Sequence, residues 1–401
     1  MSRHCRVSLA MLLIVVLVAA CGVAEQGSLV TSTPTQDSRP TATTRPSSTL
    51  TATGTLTVTP SPSSTPTVTP SATPTPTHTP GPPPHVVRSY PLDGDRAVRS
   101  ELPLVVVFDQ AMDPASVAAG LSISPTVQGQ VEWSAPDTLV FQPDVPWSSQ
   151  TYELRLAGAR SADGVALDPW MLRFGSGGRG VPIPVLMYHR FRELAADASE
   201  GQRLYSVSPT AFEEQMTYLV EQGWQTISPT ELADYFQGQP LPSHVLMLTI
   251  DDGYEEVYTV AYPILQRTAL KPVLFPIVAY VGYSAYMSWD QLRTLVADGY
   301  SVGAHSYDHV NLRELGPEDL LYQVAAPKTM LEQELGITVD AFSYPYGSYS
   351  DQIIAVLTEQ GYRTAYTINP TIYQVPDEPC HISRLNVPYD MTLEEFAERL
   401  P

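Results

Sequence analysis

Two short segments of this chain carry side chains that could do chemistry together. In Leu248-Thr249-Ile250-Asp251-Asp252-Gly253-Tyr254 an apolar run stops abruptly at two adjacent carboxylates and a glycine. In His305-Ser306-Tyr307-Asp308-His309 two imidazoles lie four residues apart, directly after the apolar run Ser301 to Ala304. Two His and one Asp make a three-ligand metal site with room for water, and the second Asp is left over to act as a base. The combination points to metal-assisted hydrolysis, and such ligands accept zinc, cobalt or nickel. Adjacent carboxylates at a strand end can point in different directions, and Gly253 permits the backbone to turn there. The two imidazoles would share one face if their segment is helical.

The elements that must position these groups begin at Val181. Strand-like runs fall at 184–188, 245–250, 273–277, 301–304, 341–344, 364–368 and 382–387. Helix-like segments lie between them. Ser228-Pro229-Thr230-Glu231 reads as an N-cap, a first-position proline and a capping box, and Ser288 with Gln291 and Thr392 with Glu395 repeat the box. Gly223, Gly299 and Gly361 sit where helices should end. Phe212, Met216, Leu219 and Val220 form one helical stripe, expected in the core. Repeated β-then-α units predict a parallel sheet, most simply a barrel, with Asp251, Asp252 and His305 at the carboxyl ends of its strands.

The preceding 180 residues carry no such pattern. Arg3 and Arg6 precede the apolar run Leu9 to Ala20, which is short of the about 20 apolar residues a membrane-spanning helix needs. It ends Val18-Ala19-Ala20-Cys21-Gly22, which resembles a bacterial lipoprotein signal with Cys21 as the lipidated first residue of the mature chain. Residues 1–20 are thus expected to be an export signal and 21–85 a tether. Gly27 to His85 is Thr/Pro/Ser-rich with only Asp37, Arg39 and Arg45 charged, so it is expected to stay extended and disordered. At about 3.1 Å per residue such a tether could reach roughly 100 Å from a membrane. Between it and the alternating region, residues 86–175 read as short strands punctuated by Asp93-Gly94, Pro143-Asp144 and Asp163-Gly164, a small all-β sandwich. Phe108-Asp109-Gln110-Ala111-Met112-Asp113 there resembles bacterial Ig-like domains, and the expected role is a spacer; exposed Trp133, Trp147 or Trp170 would favour glycan binding instead.

Cys5 and Cys21 belong to the signal and lipid site, leaving Cys380 without a partner, so no disulfide framework forms within one chain. Removing Arg3 and Arg6 with the signal takes the formal net charge from −20 to −22. An acidic chain of this kind is not expected to seek nucleic acid, and a monomer is expected.

Residues 181–401 are similar to the polysaccharide deacetylase domain, the NodB-homology group of carbohydrate esterase family 4. Thr249-Ile250-Asp251-Asp252-Gly253-Tyr254 resembles its first motif, His305-Ser306-Tyr307-Asp308-His309 its second, and Phe342-Ser343-Tyr344-Pro345-Tyr346-Gly347 its third, with Ser343 where an arginine is common. Pro184-Val185-Leu186-Met187-Tyr188-His189 upstream resembles the subgroup that deacetylates exported poly-N-acetylglucosamine. The resemblance implies an α/β fold, a distorted (β/α) barrel, with a divalent metal, usually Zn2+, and removal of N-acetyl groups from an N-acetylated polysaccharide. It implies Asp252, His305 and His309 as metal ligands, Asp251 as general base and His189 as general acid. The backbone N–H of Tyr346, beside Pro345, would bind the oxyanion. His381 is the rival acid, Arg384 the candidate to orient Asp251 in place of the missing arginine, and Trp289 and Tyr283 a candidate sugar-stacking wall. Two alternatives stay open: an esterase acting on O-acetylated glycans, and a catalytically silent glycan-binding protein of the envelope.

Overall fold

The computed structural model describes residues 81–178 and 180–401. The expected export signal, the expected lipid site at Cys21 and the expected tether as far as residue 80 lie outside the described residues. The sandwich consists of β1 (Val86–Tyr90), β2 (Leu104–Phe108), β3 (Leu121–Ser124), β4 (Gly129–Ala135), β5 (Thr138–Pro143), β6 (Thr151–Leu156) and β7 (Trp170–Gly175). One antiparallel sheet has the order β1-β2-β5-β4 and the other β3-β6-β7. The alternation along β6 buries Tyr152, Leu154 and Leu156 and leaves Thr151 and Arg155 to solvent. Trp147 is buried, its Nε1–H donating to the Leu102 carbonyl at 2.9 Å. Trp133 and Trp170 are half-buried, so none of the three offers the exposed ring that glycan stacking would need.

The barrel region adds β8 (Val181–Pro182), β9 (Val185–Tyr188), β10 (Arg190–Phe191), β11 (Ser206–Val207), β12 (Gln225–Thr226), β13 (Val245–Asp252), β14 (Val273–Pro276), β15 (Ser301–Val302), β16 (Ala341–Ser343), β17 (Thr364–Tyr366), β18 (Tyr373–Gln374) and β19 (Leu385–Asn386). Pairing in the order β15-β14-β13-β9-β19 is parallel throughout. β16 and β17 form a separate parallel pair, and single parallel bridges, Ala304 to Phe342 and Tyr366 to Ile382, join it to both ends and close the ring. The barrel is distorted because those joints are bridges rather than ladders. β13 is buried over Val245 to Asp251, as a strand covered on both faces requires.

Several strands are shorter than the apolar runs suggest, β15 and β19 in greatest proportion. Beyond Val302 only Ala304 pairs, and before Leu385 the backbone N–H groups of Ser383 and Arg384 donate to the Gln374 side chain and the Asn369 carbonyl instead of a ladder. The helix signals are met locally: Ser228, Ser288 and Thr392 all form capping boxes, and Gly223, Gly299 and Gly361 take positive φ just past their helices. On the helix Pro209–Glu221, Phe212, Met216 and Leu219 are buried, but Val220 is 47% exposed. Its expected core place goes to Gln215, whose Oε1 accepts from the buried Tyr188 hydroxyl at 2.9 Å.

The sandwich is docked on the barrel rather than strung ahead of it. Ser89 and Leu241 exchange backbone hydrogen bonds at 2.8 and 3.1 Å, and the Tyr90 and Tyr235 rings meet edge to face. Leu241 precedes the amino end of β13, so this contact lies away from the carboxyl ends of the strands. At its centre Asp95, 1% exposed, accepts from the Tyr235 hydroxyl at 2.5 Å and from the Ala97 N–H at 2.8 Å. Burial pushes the Asp95 carboxyl up to about 6, against those two hydrogen bonds. A carboxyl with a raised folded pKa stabilises fully below its unfolded value of about 3.9 and loses that contribution as pH rises through the folded value. The unfolding midpoint of the native chain is therefore expected to fall, relative to Asp95→Asn, between pH 4 and 7. A midpoint difference that stays constant over that range would refute the assignment.

Candidate active site

Asp251 and Asp252 end β13, and the backbone separates their side chains. Asp252 itself takes φ 69 and Gly253 φ 82, so the turn begins one residue before the glycine. A Cβ on Gly253 would stand 2.8 Å from Cβ of Pro276, so two constraints hold that position to glycine. Asp251 is 2% exposed and faces the barrel interior. Its Oδ1 accepts from Arg384 Nη1 at 2.8 Å and its Oδ2 from the Ser343 hydroxyl at 3.1 Å. Arg384 Nη2 donates to the same Ser343 Oγ at 2.9 Å, and its Nε to the Thr367 carbonyl at 2.8 Å.

Asp252 turns the other way, toward two imidazoles. Its Oδ1 lies 3.5 Å from His305 Nε2 and 3.7 Å from His309 Nε2, and one ligand atom from each residue falls within 4.8 Å of the others. The histidines do not share a helical face. They stand on an irregular loop in which Ser306 and His309 have φ 57 and 65. The loop is pinned by Gln323 of the helix Pro317–Leu335, whose Oε1 accepts from the backbone N–H groups of Tyr307 and Asp308 and whose Nε2 donates to Asp308 Oδ1. Among the described residues six non-glycine residues take positive φ, and four of them, Asp252, Ser306, His309 and Tyr346, belong to this one neighbourhood, a concentration of backbone strain that marks functional sites.

The residues fit a divalent ion. His305 Nδ1 is 2.8 Å from the Ser343 carbonyl, which can only accept, so Nδ1 carries a proton and Nε2 is the atom turned to Asp252. Burial lowers the His305 pKa, but Asp252, Asp251 and the Ser343 carbonyl outweigh it and raise the pKa, and a divalent ion would take the place of the Nε2 proton. Burial pushes His309 down to about 4, with His305 adding to the shift, so its imidazole is neutral and free to ligate at neutral pH. Burial alone would raise the Asp251 carboxyl. Arg384 foremost, with His305, outweighs it and holds the group well below the ordinary carboxylate range. Asp251 is therefore an ionised, buried acceptor beside the ligand set.

A cleft of about 440 Å³ opens onto these groups, lined by His189, Asp251, Asp252, His305, His309 and Arg384 among others. His189 Nε2 lies 4.0 Å from Asp251 Oδ2, its ring packs edge-on against Tyr205, and burial lowers its pKa against the pull of Asp251. Tyr346 stands on the cleft rim, 63% exposed, with its ring against His309, while Pro345 is buried beneath the turn. His381 packs on Tyr349 and does not line the cleft, and the free Cys380 is buried with its thiol pKa raised by that burial. Trp289 is packed against the core. Tyr283, 65% exposed, connects through Tyr280 and Tyr286 to Tyr254 on the cleft wall. Sequence reasoning missed Gln323 as a support of the histidine loop; its signal was a glutamine on a core-facing helix position.

Residues 238–365 match the family model of polysaccharide deacetylase, and residues 81–170 that of a bacterial Ig-like domain. The chain is 29% identical over 189 residues to YxkH of Bacillus subtilis, whose name places it among polysaccharide deacetylases, covering 47% of this chain and 65% of that protein. It is 24% identical over 259 residues to a poly-β-1,6-N-acetyl-D-glucosamine N-deacetylase of Escherichia coli K12, covering 54% and 38%. The chain thus spans less than two thirds of the length of either relative. Among solved structures, the Streptococcus pyogenes deacetylase PplD in complex with acetate superposes with a TM-score of 0.53 at 25% identity, over 55% of this chain and 99% of that one. A polysaccharide deacetylase from Bacillus cereus superposes at 0.52 and 18% identity over 79% and 99%, a likeness of fold that takes in most of this chain.

Proposed function

We propose, from the premise that this chain carries a polysaccharide deacetylase domain behind a bacterial Ig-like domain, that it hydrolyses N-acetyl groups from an amino-sugar polysaccharide of the cell envelope, poly-N-acetylglucosamine or a related glycan. The observation that carries this reading is the convergence of Asp252, His305 and His309 at one cleft beside an ionised Asp251. A divalent ion held by those three residues would polarise the acetyl carbonyl and acidify the attacking water.

The chain's own groups do the rest. Asp251, aimed by Arg384 and Ser343, takes the proton from the attacking water. The backbone N–H of Tyr346, on the turn that Pro345 starts, supports the negative oxygen of the tetrahedral intermediate. His189 gives a proton to the departing amine. Its lowered pKa means that it rests neutral at pH 7 rather than standing charged, so its proton arrives during the reaction. Asp251, 4.0 Å away and protonated by the first step, is the near source.

Acetate release from poly-β-1,6-N-acetylglucosamine tests the reading. Dialysis against a chelator is expected to lower the rate by roughly 100-fold or more, and Zn2+ to restore it. Zn2+ should also raise the unfolding midpoint, because only the folded chain gathers the three ligands. Release from acetylated xylan alone would replace the reading with an O-acetyl esterase, and zinc binding with no acetate from any glycan would leave a glycan-binding protein.

A further inference from the structure

β9 and β19 pair in parallel, with Leu385 opposite Leu186 and Asn386 opposite Met187. Carried two residues back, that register would give the Ser383 N–H to the Ile183 carbonyl. An amide from another strand stands between them instead. Gln374 of β18, 1% exposed, accepts the Ser383 N–H on its Oε1 at 2.9 Å. Its Nε2 donates to the Ile183 carbonyl at 2.9 Å and to the Ser383 carbonyl at 3.1 Å. A primary amide carries the two donors and the acceptor that this place needs, and all three are engaged. A carboxylate there would face two carbonyls, and a hydrocarbon would take this partner from three backbone groups.

The residue gripped in this way immediately precedes Arg384. The Arg384 N–H donates to the Asn369 carbonyl at 3.0 Å, and its side-chain Nε, Nη1 and Nη2 are taken up by Thr367, Asp251 and Ser343. A buried side chain bonded at every nitrogen has no slack, so a shift of its backbone is carried to the Asp251 contact. The strand that carries Gln374 is itself held from the other side. It pairs antiparallel with β8, Gln374 opposite Val181. Gly180 lies at φ 78, and a Cβ there would stand 2.9 Å from the Gln374 carbonyl oxygen, so only glycine allows the approach. The Gly180 carbonyl accepts the N–H of Arg96 from the sandwich at 3.3 Å, and the Arg96 guanidinium stands 5.4 Å over the Tyr373 ring.

We infer that Gln374 is a positioning residue for the reaction: by splicing its amide between β9 and the approach to β19, it sets the place of Arg384 and, through it, the aim of the Asp251 base. This rests on the deacetylase reading and adds to it a residue that touches neither substrate nor metal ligand. The docked sandwich, which holds β18 through Arg96, is on this account part of what aims the base.

The test measures kcat and KM for acetate release from poly-β-1,6-N-acetylglucosamine, zinc content, and hydrogen exchange of the Arg384 Nε–H by NMR. Gln374→Met keeps the bulk and removes the amide. It is expected to lower kcat about tenfold with KM within about twofold and zinc content native, and to speed the Nε–H exchange about tenfold. Gln374→Asn, one methylene too short to span the gap, should act in the same direction, and it carries the comparison if the methionine variant does not fold. Leu219→Ala, a cavity in the remote helix Pro209–Glu221, should lower the unfolding midpoint while leaving kcat near native. In an Arg384→Lys chain, which has already lost the two-point contact, Gln374→Met should cost less than about threefold. Near-native kcat in the Gln374 variants, a loss matched by Leu219→Ala, or an equal loss in the native and Arg384→Lys backgrounds overturns the assignment. Faster Nε–H exchange with no acetate released by the native chain keeps the placement of Arg384 and overturns the deacetylase reading. Acetate release that the Gln374 variants leave unchanged does the reverse.

Discussion

Asp251→Asn is expected to leave zinc content and unfolding midpoint close to native and to lower acetate release by roughly three orders of magnitude. The substitution keeps the shape of the side chain. The oxygen facing Arg384 Nη1 can still accept its hydrogen bond, and Asp252, His305 and His309, which gather on the far side of the turn, are untouched. What disappears is the basic lone pair on the atom that accepts from Ser343 and lies 4.0 Å from His189 Nε2. An amide nitrogen there cannot take a proton from water, and the hydrogens it carries are not acidic enough to pass to His189. Both proton transfers fail together, so the loss should appear in kcat rather than KM. His189→Asn, by contrast, should leave proton abstraction in place and slow departure of the amine alone. An Asp251→Asn chain that turns over at near-native rate would remove Asp251 from the base position. One that has lost its zinc would move it into the ligand set.

Arg384→Met is expected to be the most destabilising single change in the site, on the order of 3–5 kcal/mol at neutral pH. The methionine fills part of the space but strands the Asp251 carboxylate, 2% exposed, with no cation against it. In the native chain the folded pKa of Asp251 is depressed. Its ionised form therefore contributes stability above the ordinary carboxylate value of about 3.9, and the contribution is lost as pH falls through the folded pKa. Without Arg384 burial dominates and the pKa rises, so the ionised form becomes a liability at pH 7 that relaxes when the solution is made acidic. The signature is a loss of stability that shrinks between pH 7 and pH 4, together with an acidic limb of the pH–rate profile moved upward. Arg384→Lys should restore the charge but not the two-point contact with Asp251 and Ser343, and so recover stability better than rate. The double variant Asp251→Asn, Arg384→Met isolates the pair. If the cost of removing Arg384 is as large with asparagine at 251 as with aspartate, the guanidinium is serving packing rather than the carboxylate.

These two residues also divide what the chain states openly from what it conceals. The carboxylates at the end of β13, the histidines after Ala304 and the Pro345–Gly347 turn are legible because each couples an abrupt end of an apolar run to polar groups a few residues away. Capping boxes at Ser228, Ser288 and Thr392 and the glycines after the helices are legible for the same reason: donor, acceptor and strained φ all lie within one turn of chain. The same local rules misplace Val220, where a stripe is one residue too wide, and the histidine pair, where two residues at positive φ replace a helical turn.

Arg384 could be named from the sequence only as a candidate. Its 133-residue separation from Asp251 is bridged only when the ring closes through the Tyr366–Ile382 and β19–β9 contacts. Ser343, where an arginine was looked for, proves to be the group that accepts from Arg384, donates to Asp251 and fixes the tautomer of His305. The docking of the sandwich through Asp95 and Tyr235 left no mark in spacing at all. The sequence by itself determined which groups could do the chemistry and where each strand would deliver them, because those patterns are written within a few residues of chain. Only the tertiary structure decided which carboxylate meets a cation and which meets the imidazoles. That choice depends on distances across a closed barrel and on the burial that sets each pKa, and neither exists until the chain has folded.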